Sequence, residues 1–155
     1  SAGLFTLVLL MFIGASPGST GGGIKTSTFF VLIQSVRSLM TKKPFGAFRR
    51  TIPAEGISKA YLIAFLSLLV VCAGTFLLCI LEPHTAFLPL IFEVTSAFGT
   101  VGLSTGITPG LCDISKLILV LIMFIGRLGA FTIASMWVCR PAPTARFTEE
   151  SITIG

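Results

Sequence analysis

This sequence of 155 residues is 54% hydrophobic and only 11% charged, with a mean hydropathy of +0.98. Soluble domains carry about 25% charged residues, so the composition excludes an ordinary soluble domain and indicates an all-α membrane protein. The net charge of +5 comes from 11 Lys and Arg against 6 Asp and Glu. In a membrane protein such an excess is typical of cytoplasmic loops, and we expect no nucleic-acid partner.

The first apolar stretch is interrupted by small residues. Residues 2–15 carry no charge, but as a helix they cover only about 21 Å of a hydrocarbon core roughly 30 Å thick. SPGSTGGGIK follows at residues 16–25, and apolar sequence resumes over residues 28–36. The pattern predicts one transmembrane helix, broken near mid-membrane by a loop that is buried in protein or lines an aqueous path. A loop outside the membrane, between two short segments, is the alternative.

The stretch GSTGGGIKT also resembles a phosphate-binding loop, whose pattern is G-x-x-x-x-G-K-[ST]. Gly18 and Gly23 have the required spacing, but Ile24 separates the second glycine from Lys25. The pattern also requires a preceding strand and an acidic magnesium ligand, and the apolar residues before it do not fit that context. A membrane nucleotide-binding protein therefore stays only as an alternative function.

Three further stretches complete the organisation. Residues 60–81 carry no charge and predict a full transmembrane helix. Residues 87–98 predict a half-length helix, and the Gly- and Thr-rich sequence after it predicts a re-entrant pore loop, with an external turn as the alternative. Residues 117–139 predict a second full crossing, interrupted only by Arg127. An ionisable residue within the membrane is a candidate functional residue.

The basic residues set the expected orientation. They are concentrated in residues 37–59 and recur after the last predicted helix, so both regions are predicted to be cytoplasmic and the pore loop to enter from outside. The basic loop suits anionic lipid headgroups as well as a protein partner. The chain begins without an initiator Met, which we interpret as the start of a segment internal to a longer polypeptide. The four cysteines form no CxxC pair and there is one histidine, so no zinc site is expected.

An octapeptide occurs twice. LVLLMFIG at residues 7–14 returns as LVLIMFIG at residues 119–126, with Leu10 replaced by Ile122. Internal repeats are a common basis of membrane pathways. Ala15 then corresponds to Arg127, so the first copy leads into a loop where the second carries a charge.

GASPGSTGGGIKTSTF, FEVTSAFGTVGLSTGITP, LIMFIGRLG and the terminal EESITIG together resemble the Ktr/Trk/HKT superfamily of cation transporters, above all the bacterial Ktr-type membrane subunit. The resemblance covers nearly the whole chain and implies helix–pore loop–helix repeats around a cation pore. Residues 1–40 would be the last, broken helix of a third repeat, 41–59 a cytoplasmic loop, 60–139 the fourth repeat and 140–155 a cytoplasmic tail.

The resemblance also implies the function and the partners. It implies potassium uptake across the bacterial inner membrane, by a multi-pass protein that is not an enzyme, with sodium or mixed transport as the alternative. Potassium is the transported ligand, and neither a cofactor nor another metal is expected in this chain. The implied partners are membrane lipid, a second copy in a homodimer and a cytosolic ring of nucleotide-binding regulatory subunits.

Two groups of site residues follow from the same resemblance. Segment 100–103 would supply backbone carbonyls to a selectivity filter; its members are Thr100, Val101, Gly102 and Leu103. Glu93, an ionisable residue in the half-length helix, would support the filter from behind, with direct ion contact as the alternative. Loop 15–25 would form an intramembrane gate together with Arg127. Arg127 in a structural ion pair and Lys25 extending towards water are the alternatives. The gate residues in the loop are Ala15, Ser16, Pro17, Gly18, Ser19, Thr20, Gly21, Gly22, Gly23 and Lys25.

Overall fold

The computed structural model describes residues 2–41, 46–47, 50–51, 54–129 and 132, and its architecture is helical. Two antiparallel strands of two residues each, β1 (Gly46–Ala47) and β2 (Arg50–Thr51), and a 3-10 turn at Thr108–Gly110 are the other regular elements of this part. The predicted all-α fold class is confirmed. The helices in chain order are α1 (Ala2–Phe12), α2 (Thr26–Thr41), α3 (Ala54–Leu81), α4 (Phe87–Gly99) and α5 (Asp113–Leu128).

Helix α4 lies at the centre, with α1, α3 and α5 packed around it. Every residue from 92 to 99 is buried. One face of α4 packs with α3 and α5 around Leu90, Val94 and Phe98, and another contacts α1 through Phe92. Because three helices enclose the last two turns of α4, the position at which the following chain begins is fixed.

The outer helices expose large apolar side chains, including Phe5, Phe65, Phe76 and Phe124. Such surface is unusual for a soluble monomer and is typical of contact with lipid or further protein. By length and composition, one helix of the described chain can cross a membrane, the 26-residue stretch Gly56–Leu81 of α3. Helices α1 and α4 are apolar but shorter, in keeping with the short segments expected there.

Helix α5 begins earlier and ends sooner than the crossing predicted for residues 117–139. It begins at Asp113 and ends at Leu128, where Gly129 has φ 85° and its N–H donates to the Ile125 carbonyl. Glycine adopts positive φ without steric cost, so Gly129 ends the helix directly after Leu128. The regular helix therefore ends within the crossing predicted for residues 117–139, and most of the rest of that crossing lies outside the described residues.

The first copy of the octapeptide begins in α1 and runs two residues past its end, the second lies in α5, and both helices contact α4, but the copies bury different positions. The first copy buries Val8 and Met11, whose counterparts in the second copy are exposed; the second instead buries Leu119 and Ile122. Each copy ends in a glycine that lies against backbone: Gly14 against Gly22 of the loop, and Gly126 against Phe98 of α4. One sequence thus serves two packing environments.

A polar contact joins the end of α3 to the start of α5. Glu82 Oε1 accepts hydrogen bonds from Cys112 N at 2.7 Å and Ser115 Oγ at 3.0 Å. The backbone bond from Cys112, followed by the bond from its side chain, lowers the pKa of the Glu82 carboxyl from the ordinary glutamate value, against a smaller opposing effect of desolvation. The contact is therefore strongest with Glu82 ionised.

This contact predicts a specific acid sensitivity. Because the folded-state pKa is depressed, the stabilisation from Glu82 is present above the ordinary glutamate pKa and is lost as pH falls through the lower folded value. We expect the melting temperature of the wild type to exceed that of Glu82→Gln at pH 7.5, and the difference to shrink as the pH falls below the ordinary glutamate pKa of about 4.3. Thermal melts of both proteins from pH 7.5 to 3.5 measure it; a difference that is constant across this range would contradict the assignment.

Candidate functional site

Segment 100–103 leaves the buried end of α4 without regular structure. Thr100 ends the helix in the left-handed conformation, with φ 52° and ψ 39°. Its N–H donates to Ala97 O at 3.1 Å and that of Val101 donates to Ser96 O at 3.0 Å, a Schellman-type end. Gly102 also has a positive φ, of 83°. No backbone N–H of the described chain donates to the carbonyls of residues 100–103, so these oxygens remain available as acceptors.

Glu93 is buried in α4 and holds the chain that follows segment 100–103. Its Oε1 accepts from Ser104 Oγ, from Thr105 N at 3.0 Å and from Thr105 Oγ1 at 3.4 Å. Its Oε2 accepts from Thr108 Oγ1 at 3.0 Å. A cavity of about 200 Å³ lies beside this carboxylate and reaches Gly102. The Glu93 carboxylate thus anchors residues 104–108 to the central helix α4.

Loop 15–25 is closed at its base. Ile13 and Ile24 form a parallel bridge, in which Gly14 N donates to Ile24 O at 2.7 Å and Ile24 N donates to Phe12 O at 3.2 Å. A Cβ on Gly14 would lie 2.0 Å from Gly22 O, so only glycine permits this approach. Residues 16–20 are exposed at the outer end of the loop.

Two cationic side chains bind three successive carbonyls of the loop. Lys25 Nζ donates to Ser19 O at 3.2 Å and to Gly21 O at 2.6 Å, and Arg127 donates through Nη1 to Thr20 O. Lys25 therefore folds back onto its own loop. In the described part of the chain, no carboxylate lies within ion-pair distance of Arg127. The guanidinium contacts the loop backbone, across 107 positions of sequence.

The loop contacts the beginning of segment 100–103 directly. Gly22 N donates to Thr100 Oγ1 at 2.8 Å, and a Cβ on Gly22 would lie 2.6 Å from Phe98 O and 3.1 Å from Gly126 O. A Cβ on Gly126 would in turn lie 2.0 Å from Phe98 O. The loop, the end of α4 and α5 thus meet backbone to backbone. Beside this junction is an open cavity of about 410 Å³, lined by residues that include Ala15, Gly21, Thr100 and Val101.

The structure brings together Gly22, Thr100, Arg127 and Lys25 around the loop. Glu93 instead bonds to residues 104–108, which follow segment 100–103. Residues 16–18 contact neither Arg127 nor the segment through any hydrogen bond of the described chain. Sequence reasoning missed Gly126, although it ends the second copy of the octapeptide and its counterpart Gly14 faces the loop. The shared final glycine was the signal that could have identified it.

A family model and the sequences of curated relatives both match this chain, and they agree with each other. The family model described as TrkH, a cation transport protein, matches residues 1–144. The chain is 43% identical over 153 residues to Ktr system potassium uptake protein B of Bacillus subtilis, covering 98% of this chain and 34% of that protein. It is 42% identical over 130 residues to Ktr system potassium uptake protein D of the same organism, covering 83% and 29%.

A third relative has a broader name. Potassium/sodium uptake protein NtpJ of Enterococcus hirae is 37% identical over 161 residues, covering 99% of this chain and 36% of that protein. The chain therefore spans about a third of the length of these curated relatives.

Proposed function

Because the chain belongs to the TrkH family of cation transport proteins, a family of membrane transporters rather than enzymes, we propose that it carries part of a potassium uptake path in the bacterial inner membrane. In this proposal segment 100–103 is one part of a selectivity filter, and loop 15–25 with Arg127 is the gate next to it. The observation that carries the proposal is the direct contact of the loop with the start of the segment, through Gly22 and Thr100.

The chemistry of segment 100–103 suits a dehydrated cation. Backbone carbonyls replace the water shell of an ion without adding fixed charge, and the carbonyls of this segment accept no backbone hydrogen bond in the described chain. The carboxyl-terminal end of α4 contributes a partial negative charge beside them. Glu93 supports the segment from behind through its bonds to residues 104–108.

The chemistry of loop 15–25 suits an obstruction that can move. Beyond the bridge at its base, the loop is held in place by the bond to Thr100 and by the bonds from Lys25 and Arg127. A guanidinium beside an ion path repels a waiting cation, and it holds the loop closed while it donates to Thr20 O. When these bonds break, the glycines permit the loop to rearrange.

Transport of sodium, or of both ions, is a second candidate, since one relative is named a potassium/sodium uptake protein. The family resemblance further supports a homodimer, lipid contacts and a cytosolic ring of nucleotide-binding regulatory subunits. The proposed cytoplasmic surfaces for that ring are residues 37–59 and the tail 140–155. The tail and much of the loop lie outside the described residues.

Selectivity tests the filter assignment. Gly102 and Gly106 both have positive φ, 83° and 90°, and at both positions a Cβ would enter open space, so serine imposes similar backbone strain at each, about 1–3 kcal/mol. Only Gly102 lies in segment 100–103. In liposomes containing the complete polypeptide in which this chain occurs, we expect Gly102→Ser to lower the ratio of potassium to sodium uptake about fivefold or more.

Gly106→Ser is the matched control and should leave that ratio within about twofold of the wild type, since ordinary surface strain acts on stability and not on the ion path. Equal ratios in all three proteins would remove segment 100–103 from the filter. The absence of any cation uptake by the correctly inserted wild type would overturn the transport proposal.

A further inference from the structure

We propose that the hydroxyl of Thr100 is a latch that couples the filter to the gate, an inference that rests on the proposed roles of segment 100–103 and loop 15–25. The latch is the hydrogen bond from Gly22 N to Thr100 Oγ1, 2.8 Å long and partly buried. Thr100 is thus a positioning residue for the loop, in addition to any part that its carbonyl plays in the filter.

The first argument is the conformation of Thr100. Of the described residues, it alone combines a positive φ with a side chain. Helices that end in this conformation usually place glycine there, because a Cβ, and above all a branched one, is crowded in the left-handed region. The bond from Gly22 N is the hydrogen bond that the Thr100 hydroxyl makes in the described chain, and it offsets part of that crowding.

The second argument is geometric. The N–H groups of Thr100 and Val101 are both fixed to the last turn of α4, so the direction of the Thr100 side chain is set by a buried helix. Gly22 is buried and fits without a Cβ between Phe98 O and Gly126 O. Its N–H therefore meets the hydroxyl only when the loop is fully seated between α4 and α5.

The coupling follows from these two points. Withdrawal of the loop must break the bond and leave the left-handed Thr100 without its compensating contact, which frees the backbone at the entrance to segment 100–103. Conversely, a rearrangement of Thr100 removes the acceptor that seats the loop. Each segment thereby biases the conformation of the other.

Hydrogen exchange of the complete polypeptide tests the latch. Thr100→Val keeps the branched shape and removes the hydroxyl, whereas Thr100→Ser keeps the hydroxyl. The decisive amides are those of Gly14 and Ile24, which close the base of the loop and donate to Ile24 O and Phe12 O, not to Thr100. We expect their exchange to be about tenfold faster in Thr100→Val than in the wild type, and unchanged in Thr100→Ser.

Internal controls keep the result decisive. Amides of α3 should exchange at the wild-type rate in every variant, which shows that the protein is folded; if Thr100→Val fails this control, Thr100→Ala, which is smaller, replaces it. Faster exchange at Gly22 alone would overturn the latch, as would equal effects of Val and Ser. Potassium uptake by the wild type in the same preparation decides the transport proposal separately, because the exchange result does not depend on flux.

Discussion

Replacing Arg127 with alanine is expected to raise the rate of potassium uptake about tenfold. The guanidinium donates to Thr20 O and has no carboxylate partner in the described part of the chain. A hydrogen bond from a charged group contributes about 1.5–3 kcal/mol, and about 1.4 kcal/mol corresponds to a factor of ten in an equilibrium. Removing it shifts loop 15–25 towards the open state and also removes a positive charge from the path. Initial rates in liposomes measure the effect.

Arg127→Lys is the appropriate comparison. It keeps the positive charge and one donor group but loses the extended planar guanidinium, so its uptake rate should fall between those of the wild type and Arg127→Ala. A rate for Arg127→Ala equal to or below that of the wild type, in protein that is inserted and folded, would show that Arg127 does not hold a gate closed.

Replacing Gly126 with alanine is expected to disrupt the folded protein. The added Cβ would lie 2.0 Å from the Phe98 carbonyl oxygen and 2.8 Å from its carbon. Both atoms belong to the backbone of the buried helix α4, which cannot move aside as a flexible side chain would. Overpacking of this kind costs about 1–3 kcal/mol or more. We expect a clearly lower melting temperature and a smaller monodisperse fraction in detergent, measured by size-exclusion chromatography after heating.

Gly3→Ala provides the matched control for Gly126→Ala. Gly3 also lies in a helix, but nothing is within 4 Å of a Cβ added there. Alanine should therefore leave the protein as stable as the wild type or raise its stability by about 0.5–1 kcal/mol. If Gly126→Ala behaves like Gly3→Ala, α5 and α4 do not approach each other as closely as described.

Much of the helical organisation was accessible from the sequence, because it rests on composition and length. The apolar run ending at Leu81 and the half-length run beginning at Phe87 correspond to α3 and α4, although α3 begins at Ala54. Glycine content indicated the loop between α1 and α2. The end of α5 at Gly129 was missed, since a single glycine in an apolar run is compatible with a continuing helix until its φ is known.

The contacts across the site could not be derived from periodicity. Gly22 and Thr100 are 78 positions apart, and nothing in either stretch specifies the other. The sequence of residues 18–26 resembles a phosphate-binding loop, but that pattern does not reveal the partners that these residues have in the structure. In the structure the ammonium of Lys25 binds loop carbonyls, and the N–H groups of Gly22 and Ile24 already donate to Thr100 and Phe12.

The most direct test of a filter packed on a gate is one uptake experiment on Gly102→Ser, Arg127→Ala and the double variant in the complete polypeptide. Potassium and sodium uptake are measured in the same liposomes. The account predicts that the glycine change lowers the potassium-to-sodium ratio, that the arginine change raises the potassium rate, and that the double variant shows both effects. A wild-type ratio and rate in all three variants would contradict it.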